Sequence, residues 1–337
     1  MHHSTTPTLE GKPTVPFDAE LAAALTVINE YQPPGSLSAE TLPRMRQGHP
    51  AMPDPTLEDL SLDGAYLVED RQVPGPPNAP DISLLICRPA AASGPVPVIY
   101  HTHGGGMVLG TNRVGVLDLL HQVRDLNTAV VSVEYRLAPE IPHPGPVEDC
   151  YAGLVWTARH AEDLGVDETR VVVAGASAGG GLAAAVTLMA RDRGGPALLG
   201  QMLMIPMLDD RNDTPSAVQM AGRGVWDRQD NRFGWSALLG DAAGGPDVSP
   251  YAAPARATDL SGLPPAFIDV GSAETFRDEA VAYASRIWQA GGQAELHVWP
   301  GGFHGFFGAV PQAAVSQAAV AAQHDWLRRT LGGAAST

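Results

Sequence analysis

Short apolar runs of strand length alternate with longer helix-forming segments through the middle of this sequence. The strand-like runs, rich in valine, isoleucine and leucine, occupy residues 96–101, 128–134, 170–174 and 200–205. Segments with helical patterning lie between them, at 114–126, 146–161 and 178–192. Because such alternation builds a parallel sheet with helices on both faces, the pattern predicts an α/β fold with a mostly parallel central sheet.

Residues on either side of this alternating section extend the predicted sheet. Residues 64–73 and 81–89 surround a turn rich in proline and glycine, which predicts an antiparallel hairpin at one edge. Two further strands are predicted at 266–270 and 295–299, and a terminal helix at 312–331. Active sites in such sheets lie beyond the carboxyl ends of the strands, so residues that follow the strands are the candidates for chemistry.

Two segments do not belong to this sheet and predict a helical cap over it. Residues 17–31 and 38–47 have helical patterns and precede every predicted strand, so we expect residues 1–55 to form an N-terminal cap segment. Residues 208–250 are too long for a connection within a compact core and predict a second cap segment. Its aromatic residues either face the substrate pocket or pack within the cap; they include Trp226, Phe233 and Trp235. The remainder, 56–207 and 251–337, is the predicted catalytic domain.

A glycine-flanked serine lies between the third predicted strand and its helix. Gly175-Ala-Ser-Ala-Gly179 follows three valines and precedes an Ala/Leu-rich helix former, so Ser177 occupies a sharp strand-to-helix turn. This is the G-x-S-x-G elbow that exposes a nucleophilic serine. The same five residues could also form an ordinary tight turn in a glycine-rich chain.

A second motif decides between these two interpretations. His103-Gly-Gly-Gly106 follows the predicted strand at 96–101. Hydrolases with a serine elbow complete their oxyanion hole with a backbone N–H from such a loop, because glycine leaves the main-chain amides unobstructed. Two motifs in the expected order, each at a strand end, predict a serine hydrolase.

The serine needs a histidine base and a carboxylate that orients it. His304 is the candidate base, because it lies between glycines directly after the last predicted strand, whereas His297 and His324 lie within a strand and a helix. The acid should follow the strand at 266–270. Glu274 is the first carboxylate beyond that strand, and Asp278 is the alternative, at the start of the next helix.

The charge of the chain excludes some partners. Its 37 acidic and 21 basic residues give a net charge of −16, which disfavours nucleic acid and anionic membranes as partners. Cys87 and Cys150 have no metal-binding spacing, so we expect reduced thiols and no metal site, although one disulfide stays possible. The first residues lack the basic and apolar regions of a secretion signal, so we expect a cytoplasmic protein.

These residues together resemble the hormone-sensitive lipase-like carboxylesterases of the α/β-hydrolase superfamily, and within them the bacterial heroin esterase group. The resemblance covers nearly the whole chain and includes segments 103–106, 134–140, 145–151, 174–181, 251–254, 263–265, 276–279 and 303–305. In that family the acid is usually the aspartate of a D-P-L-R-D-E segment. Here Glu274-Thr-Phe-Arg-Asp-Glu279 takes its place, so the acid is a glutamate by position.

The resemblance also implies roles for the glycine loop and its supports. It implies an oxyanion hole made of the amides of Gly105, Gly106 and Ala178. It further implies structural roles around that loop for His103, Gly104, Tyr135 and Asp149. Family members hydrolyse short-chain esters without a cofactor, so none is expected here.

The expected function is therefore a serine carboxylesterase that cleaves short-chain acyl esters through a Ser-His-Glu triad and an acyl-enzyme intermediate. Its expected partner is a small-molecule ester, and a homodimer is possible. An amidase or peptidase with the same triad is one alternative. The other is a non-catalytic relative that binds a small ligand, although such proteins typically lack a complete triad.

Overall fold

A computed structural model describes residues 13–48 and 53–332 and contains one eight-stranded sheet between layers of helices. The strands are β1 Tyr66–Val73, β2 Ile82–Pro89, β3 Val96–Thr102, β4 Ala129–Glu134, β5 Val166–Ala176, β6 Gly200–Met204, β7 Ala266–Gly271 and β8 Ala294–Trp299. The helices of the described residues are α1 Ala19–Tyr31, α2 Leu42–Met45, α3 Leu57–Leu60, α4 Val116–Val123, α5 Gly145–Arg159, α6 Ala161–Leu164, α7 Ala178–Asp192, α8 Pro215–Gln219, α9 Arg228–Leu239, α10 Arg277–Gln289, α11 Phe306–Ala309 and α12 Ala314–Gly332.

The strand order confirms the predicted α/β sheet. The order is β1-β2-β4-β3-β5-β6-β7-β8, in which β1 and β2 pair antiparallel as the predicted edge hairpin. Strand β2 is antiparallel to β4, and the strands from β4 to β8 run parallel. The register pairs Thr102 with Gly175, Ala176 with Met204, and Met204 with Asp269. The segments that follow β3, β5, β6 and β7 therefore meet at one edge of the sheet.

Alternate side chains of the central strands enter two different hydrophobic clusters. In β3, Val98 and Tyr100 belong to one cluster, whereas Ile99 belongs to the other. Side chains that alternate in this way point to opposite faces of a sheet, so each face has its own core. Cys150 is buried in the first cluster and Cys87 in the second, and both are free thiols.

A third, smaller cluster joins helix α1 to the segment that follows β8. Leu21 and Leu25 of α1 pack with Phe303 and Phe306, which flank His304 along the chain. The backbone N–H of Asp18 donates to the carbonyl of Gly301 at 3.1 Å. Helix α1 therefore supports the loop that follows β8.

The two segments predicted as caps contact each other. The carboxylate of Asp230, in α9, accepts hydrogen bonds from the backbone N–H groups of Gly35 and Leu37, each at 2.9 Å. Their assignment as caps stays a prediction. The described residues do not include 1–12 and 49–52 of the first segment. The prediction that the chain has no secretion signal concerns these first residues and therefore lies outside the described part.

Element boundaries differ from the prediction in several places; β5 begins at Val166, and the four-residue helices α3, α6 and α11 were not predicted. The predicted helix at 38–47 shortens to α2, because Ser38 and Thr41 hydrogen-bond to each other in a turn before it. Helix α8 was not predicted, because its five residues are too few to show a helical period. Among the residues described, none forms a helix that is long and apolar enough to span a membrane.

Candidate active site

Ser177 lies at the turn between β5 and α7 with a backbone φ of 59°. This conformation is rare for residues other than glycine and holds the side chain at the top of the sheet. The flanking Gly179 is required by packing, because a Cβ there would lie 2.0 Å from the carbonyl oxygen of Thr102. The sequence motif thus folds into the tight approach of strand and helix that it predicts.

A continuous set of hydrogen bonds connects Ser177, His304 and Glu274. His304 Nε2 is 2.8 Å from Ser177 Oγ, and His304 Nδ1 is 2.6 Å from Glu274 Oε2. The other oxygen of Glu274 accepts the backbone N–H of Gly271 at 2.8 Å. All three side chains are largely buried, with Glu274 only 2% exposed. The three residues named from the sequence therefore lie together at the carboxyl edge of the sheet.

The other two carboxylates near the start of α10 face different partners. Asp278 accepts the backbone N–H of Ser216 and the guanidinium of Arg277, each at 2.7 Å. Glu279 is buried and accepts the backbone N–H of Leu208 at 2.7 Å. Of the candidate acids, only Glu274 is hydrogen-bonded to His304 among the described residues.

The glycine loop after β3 adopts conformations that its glycines make possible. Gly105 and Gly106 have φ values of 118° and 61°. A Cβ on Gly106 would lie 2.1 Å from the indole ring of Trp226, so this ring packs directly on the loop backbone. No described residue accepts a hydrogen bond from the N–H groups of Gly105, Gly106 or Ala178. Their role as an oxyanion hole stays a prediction.

Beneath this loop, His103 and Tyr135 form a stacked pair. Their rings are 4.1 Å apart, and the hydroxyl of Tyr135 donates to the carbonyl of His103 at 2.9 Å. His103 Nδ1 is 2.8 Å from the carbonyl oxygen of Gly104. Burial lowers the pKa of His103 to about 4, so its ring is neutral near pH 7.

Asp149 holds the segment that carries Tyr135. Its carboxylate is fully buried and accepts three hydrogen bonds from Arg136, one from the backbone at 3.0 Å and two from the guanidinium at 2.7 Å. Contacts therefore run from α5 through Arg136 and Tyr135 to the loop at His103. These contacts agree with the supporting roles that the resemblance implies, and the roles themselves stay a prediction.

Sequence reasoning missed Arg46, which ties α2 to the glycine loop. Its guanidinium donates to the carbonyls of Val108 and Ala138 at 2.9 and 2.8 Å and pairs with both oxygens of Glu140. Glu140 is the last residue of segment 134–140, one of those that carry the family resemblance. Nothing in the sequence connects it with an arginine more than ninety residues earlier. Among the described residues, no cluster of three His, Cys, Asp or Glu side chains could hold a metal ion.

The sheet order and the glycine-flanked serine elbow define an α/β hydrolase. A family model described as the alpha/beta hydrolase fold matches residues 99–308, and the chain belongs to this family. This match, together with the relatives below, confirms the resemblance to the hormone-sensitive lipase-like enzymes.

Three named relatives of this chain are esterases. Esterase LipI of Mycobacterium tuberculosis is 34% identical over 78% of this chain and 80% of its own length. Carboxylesterase NlhH of the same organism is 36% identical over 71% of this chain and 75% of its own length. A solved bacterial heroin esterase superposes with a TM-score of 0.86 at 42% identity, over 94% of this chain and 98% of that enzyme.

Proposed function

We propose that this chain, a carboxylic ester hydrolase like its relatives, cleaves short-chain acyl esters through a triad of Ser177, His304 and Glu274. The observation that supports the triad is the unbroken set of hydrogen bonds from Ser177 Oγ through the His304 ring to Glu274 Oε2. A serine hydroxyl is a weak nucleophile near neutral pH, and an adjacent imidazole held by a carboxylate activates it.

In the proposed reaction, His304 Nε2 takes the proton of Ser177 as Oγ attacks the ester carbonyl. The N–H groups of Gly105, Gly106 and Ala178 stabilise the negative charge that develops on the carbonyl oxygen. His304 then donates its proton to the leaving alcohol, which leaves an acyl group on Ser177. Water attacks this acyl-enzyme by the same steps and releases the acid. Glu274 keeps Nδ1 protonated throughout and stabilises the imidazolium.

The preference for short acyl groups is proposed from the packing of Trp226. Its ring contacts the backbone of Gly106 and lies 6.4 Å from the ring of His304. This bulky side chain limits the space next to the proposed oxyanion hole. A small acyl group needs little of that space, whereas a long chain would have to displace the ring.

The test measures hydrolysis of p-nitrophenyl esters of increasing acyl length by the wild-type protein and by Ser177→Ala. We expect Ser177→Ala to remain folded and to lose turnover by a factor of about 10⁵ or more. We expect wild-type kcat/KM to be highest for short acyl groups. A profile that peaks beyond about ten carbons would contradict the short-chain assignment, given the limited volume of such pockets.

Labelling with a fluorophosphonate separates catalysis from ligand binding alone. The wild-type protein should form a covalent adduct at Ser177, detected by mass spectrometry of the labelled peptide. Full hydrolysis by Ser177→Ala, or an adduct at another residue, would refute the proposed nucleophile.

A further inference from the structure

Arg46, the residue that ends α2, joins two backbone segments beyond the glycine loop. Its Nε donates to the carbonyl of Val108 at 2.9 Å, and its Nη2 donates to the carbonyl of Ala138 at 2.8 Å. Two further contacts, at 2.7 and 2.8 Å, join the guanidinium to both oxygens of Glu140. A planar guanidinium holds several acceptors at fixed angles, which an ammonium group cannot do. One side chain thus fixes these two segments relative to each other.

Both segments adjoin Met107, whose backbone is strained. Met107 has a φ of 68°, a left-handed conformation that is rare for a bulky side chain and persists only where its surroundings enforce it. Its carbonyl accepts the backbone N–H of Ala138 at 3.0 Å, and Val108 is the next residue in the chain. The guanidinium of Arg46 connects Ala138 back to Val108. These contacts form a closed ring around the strained residue.

Met107 directly follows the two glycines whose amides the proposed function assigns to the oxyanion hole. Gly105, Gly106 and Met107 all have positive φ values. The carbonyl of Gly105 accepts the N–H groups of Val108 and Leu109, at 3.1 and 2.9 Å, which closes a turn over residues 105–109. Relaxation of Met107 to an ordinary negative φ would require rotations at its neighbours. Such rotations would turn the glycine amides away from the reacting carbonyl.

The other close contacts of this turn are made at Gly106. A Cβ on Gly106 would lie 2.1 Å from the ring of Trp226, and a Cβ on Gly234 of α9 would lie 2.8 Å from the carbonyl oxygen of Gly106. These contacts hold the glycine itself but not the end of the turn. Within the described part of the chain, Arg46 has the only side chain that is hydrogen-bonded to the carbonyl of Val108. The end of the turn therefore depends on Arg46.

We infer that Arg46 is a positioning residue for the oxyanion hole, because its guanidinium keeps the turn 105–109 in the conformation that directs the amides of Gly105 and Gly106 at the reacting carbonyl. This inference rests on the proposed function, which assigns those amides. Arg46 makes no hydrogen bond to Ser177 or His304, so it acts only through the turn. Loss of its side chain should weaken stabilisation of the transition state and leave binding of the uncharged ester nearly unchanged.

The first test compares Arg46→Met with the wild-type protein in hydrolysis of p-nitrophenyl acetate. Acylation and deacylation both pass through an oxyanion, so both rates should fall together. We expect kcat to fall by a factor of about 100 and KM to stay within about threefold. Arg46→Lys keeps the charge but loses the planar fork, so its kcat should fall by about tenfold. Circular dichroism and urea unfolding check that each variant is folded.

The second measurement probes the oxyanion hole directly. Trifluorobutanone adds to a reactive serine as a hemiketal, and its negatively charged oxygen occupies the position of the transition-state oxyanion. The inhibition constant should rise in Arg46→Met and in Arg46→Lys by the same factor by which kcat/KM falls. A loss of stability alone would lower the amount of active protein and leave the inhibition constant unchanged.

Arg191→Met is the matched control. Like Arg46, Arg191 pairs with a carboxylate, that of Asp192, and donates to backbone carbonyls, those of Asp259 and Ser261. Its side chain is 24% exposed, against 28% for Arg46. It lies in the last turn of α7, whereas the serine elbow precedes the first turn of this helix. The control should leave kcat and the inhibition constant unchanged.

The possible outcomes separate the inference from the proposed function. A folded Arg46→Met with wild-type kcat, or with a lowered kcat and an unchanged inhibition constant, would overturn the inference. Equal losses in Arg46→Met and Arg191→Met would also overturn it. If Arg46→Met does not fold, Arg46→Lys provides the same comparison. A wild-type protein that trifluorobutanone does not inhibit, or that Ser177→Ala equals in hydrolysis, would refute the proposed function and the inference with it.

Discussion

Glu274 and Glu279 are five residues apart and almost equally buried, at 2% and 3% exposure, yet their surroundings differ. Both oxygens of Glu274 have partners, the Gly271 N–H and the His304 ring. Glu279 accepts two backbone N–H groups through Oε1, whereas its Oε2 has no partner among the described residues. Burial raises the pKa of Glu279 well above its usual range, which favours the neutral form. Burial alone therefore does not identify a candidate catalytic carboxylate. Its hydrogen bond to a histidine does.

Among changes to these carboxyl groups, the largest expected effect is the loss of turnover in Glu274→Gln. A glutamine cannot stabilise the imidazolium and can hold His304 in the wrong tautomer, so kcat should fall by a factor of about 10³–10⁴. Asp278→Asn is the control, because Asp278 contacts Ser216 and Arg277. The measurement is kcat for a short acyl ester, with circular dichroism to check the fold. Full activity of Glu274→Gln combined with loss in Asp278→Asn would reverse the assignment.

Next in size is the effect of Glu279→Ala on stability. This change leaves the N–H groups of Leu208 and Asp209 buried without their acceptor, which should lower the free energy of unfolding by about 4 kcal/mol. Glu279→Gln keeps an acceptor oxygen and resembles the neutral acid, so its cost should stay within about 1 kcal/mol. Urea unfolding at pH 7 measures both. Equal losses in the two variants would mean that Glu279 is charged in the folded protein.

A smaller effect is expected at Asp269, a third buried carboxyl in the same region. Burial raises its pKa from the ordinary 3.8 of an aspartate to about 6. Because the folded-state pKa is raised, the stabilising contribution of the neutral form is complete below pH 4 and is lost as pH rises to about 6. At 1.36 kcal/mol per pKa unit, the loss is at most about 3 kcal/mol.

The side chain in Asp269→Asn cannot titrate, so this variant should lack the pH-dependent contribution of Asp269 to the free energy of unfolding. The difference in free energy of unfolding between variant and wild type should move in favour of the variant between pH 4 and about pH 7 and then stay constant. Urea unfolding over this pH range provides the comparison. A difference that does not change with pH would show that Asp269 keeps its ordinary pKa when folded.

The parts of the site that could be predicted are those marked locally in the sequence. Glycines at fixed spacing identify Ser177 and the glycine loop in the sequence. His304 is identified by its place between a strand and glycines. The mostly parallel sheet followed from the alternating pattern and is confirmed. The sequence favoured Glu274 as the acid of the triad but left Asp278 as an alternative, because the bend of the chain after β7 decides which carboxylate faces His304.

Other features depend on contacts between distant segments and left no local signal. Arg46 meets Glu140, and His101 faces a groove built from α4 and α12. Glu279 follows Asp278 at the start of a predicted helix, and no local pattern indicates its partners. Its bonds to Leu208 and Asp209 depend on how α10 packs against the segment after β6. Only the three-dimensional packing brings such partners together.

The small cluster around α1 also bears on biosynthesis. Leu21 and Leu25 leave the ribosome long before Phe303 and Phe306, their packing partners beside His304, have been translated. Contacts so distant along the chain can form only after the segment between them has been made. A nascent polypeptide therefore cannot hold His304 in place before the segment around Phe306 has been made, and hydrolytic competence should appear only after that point.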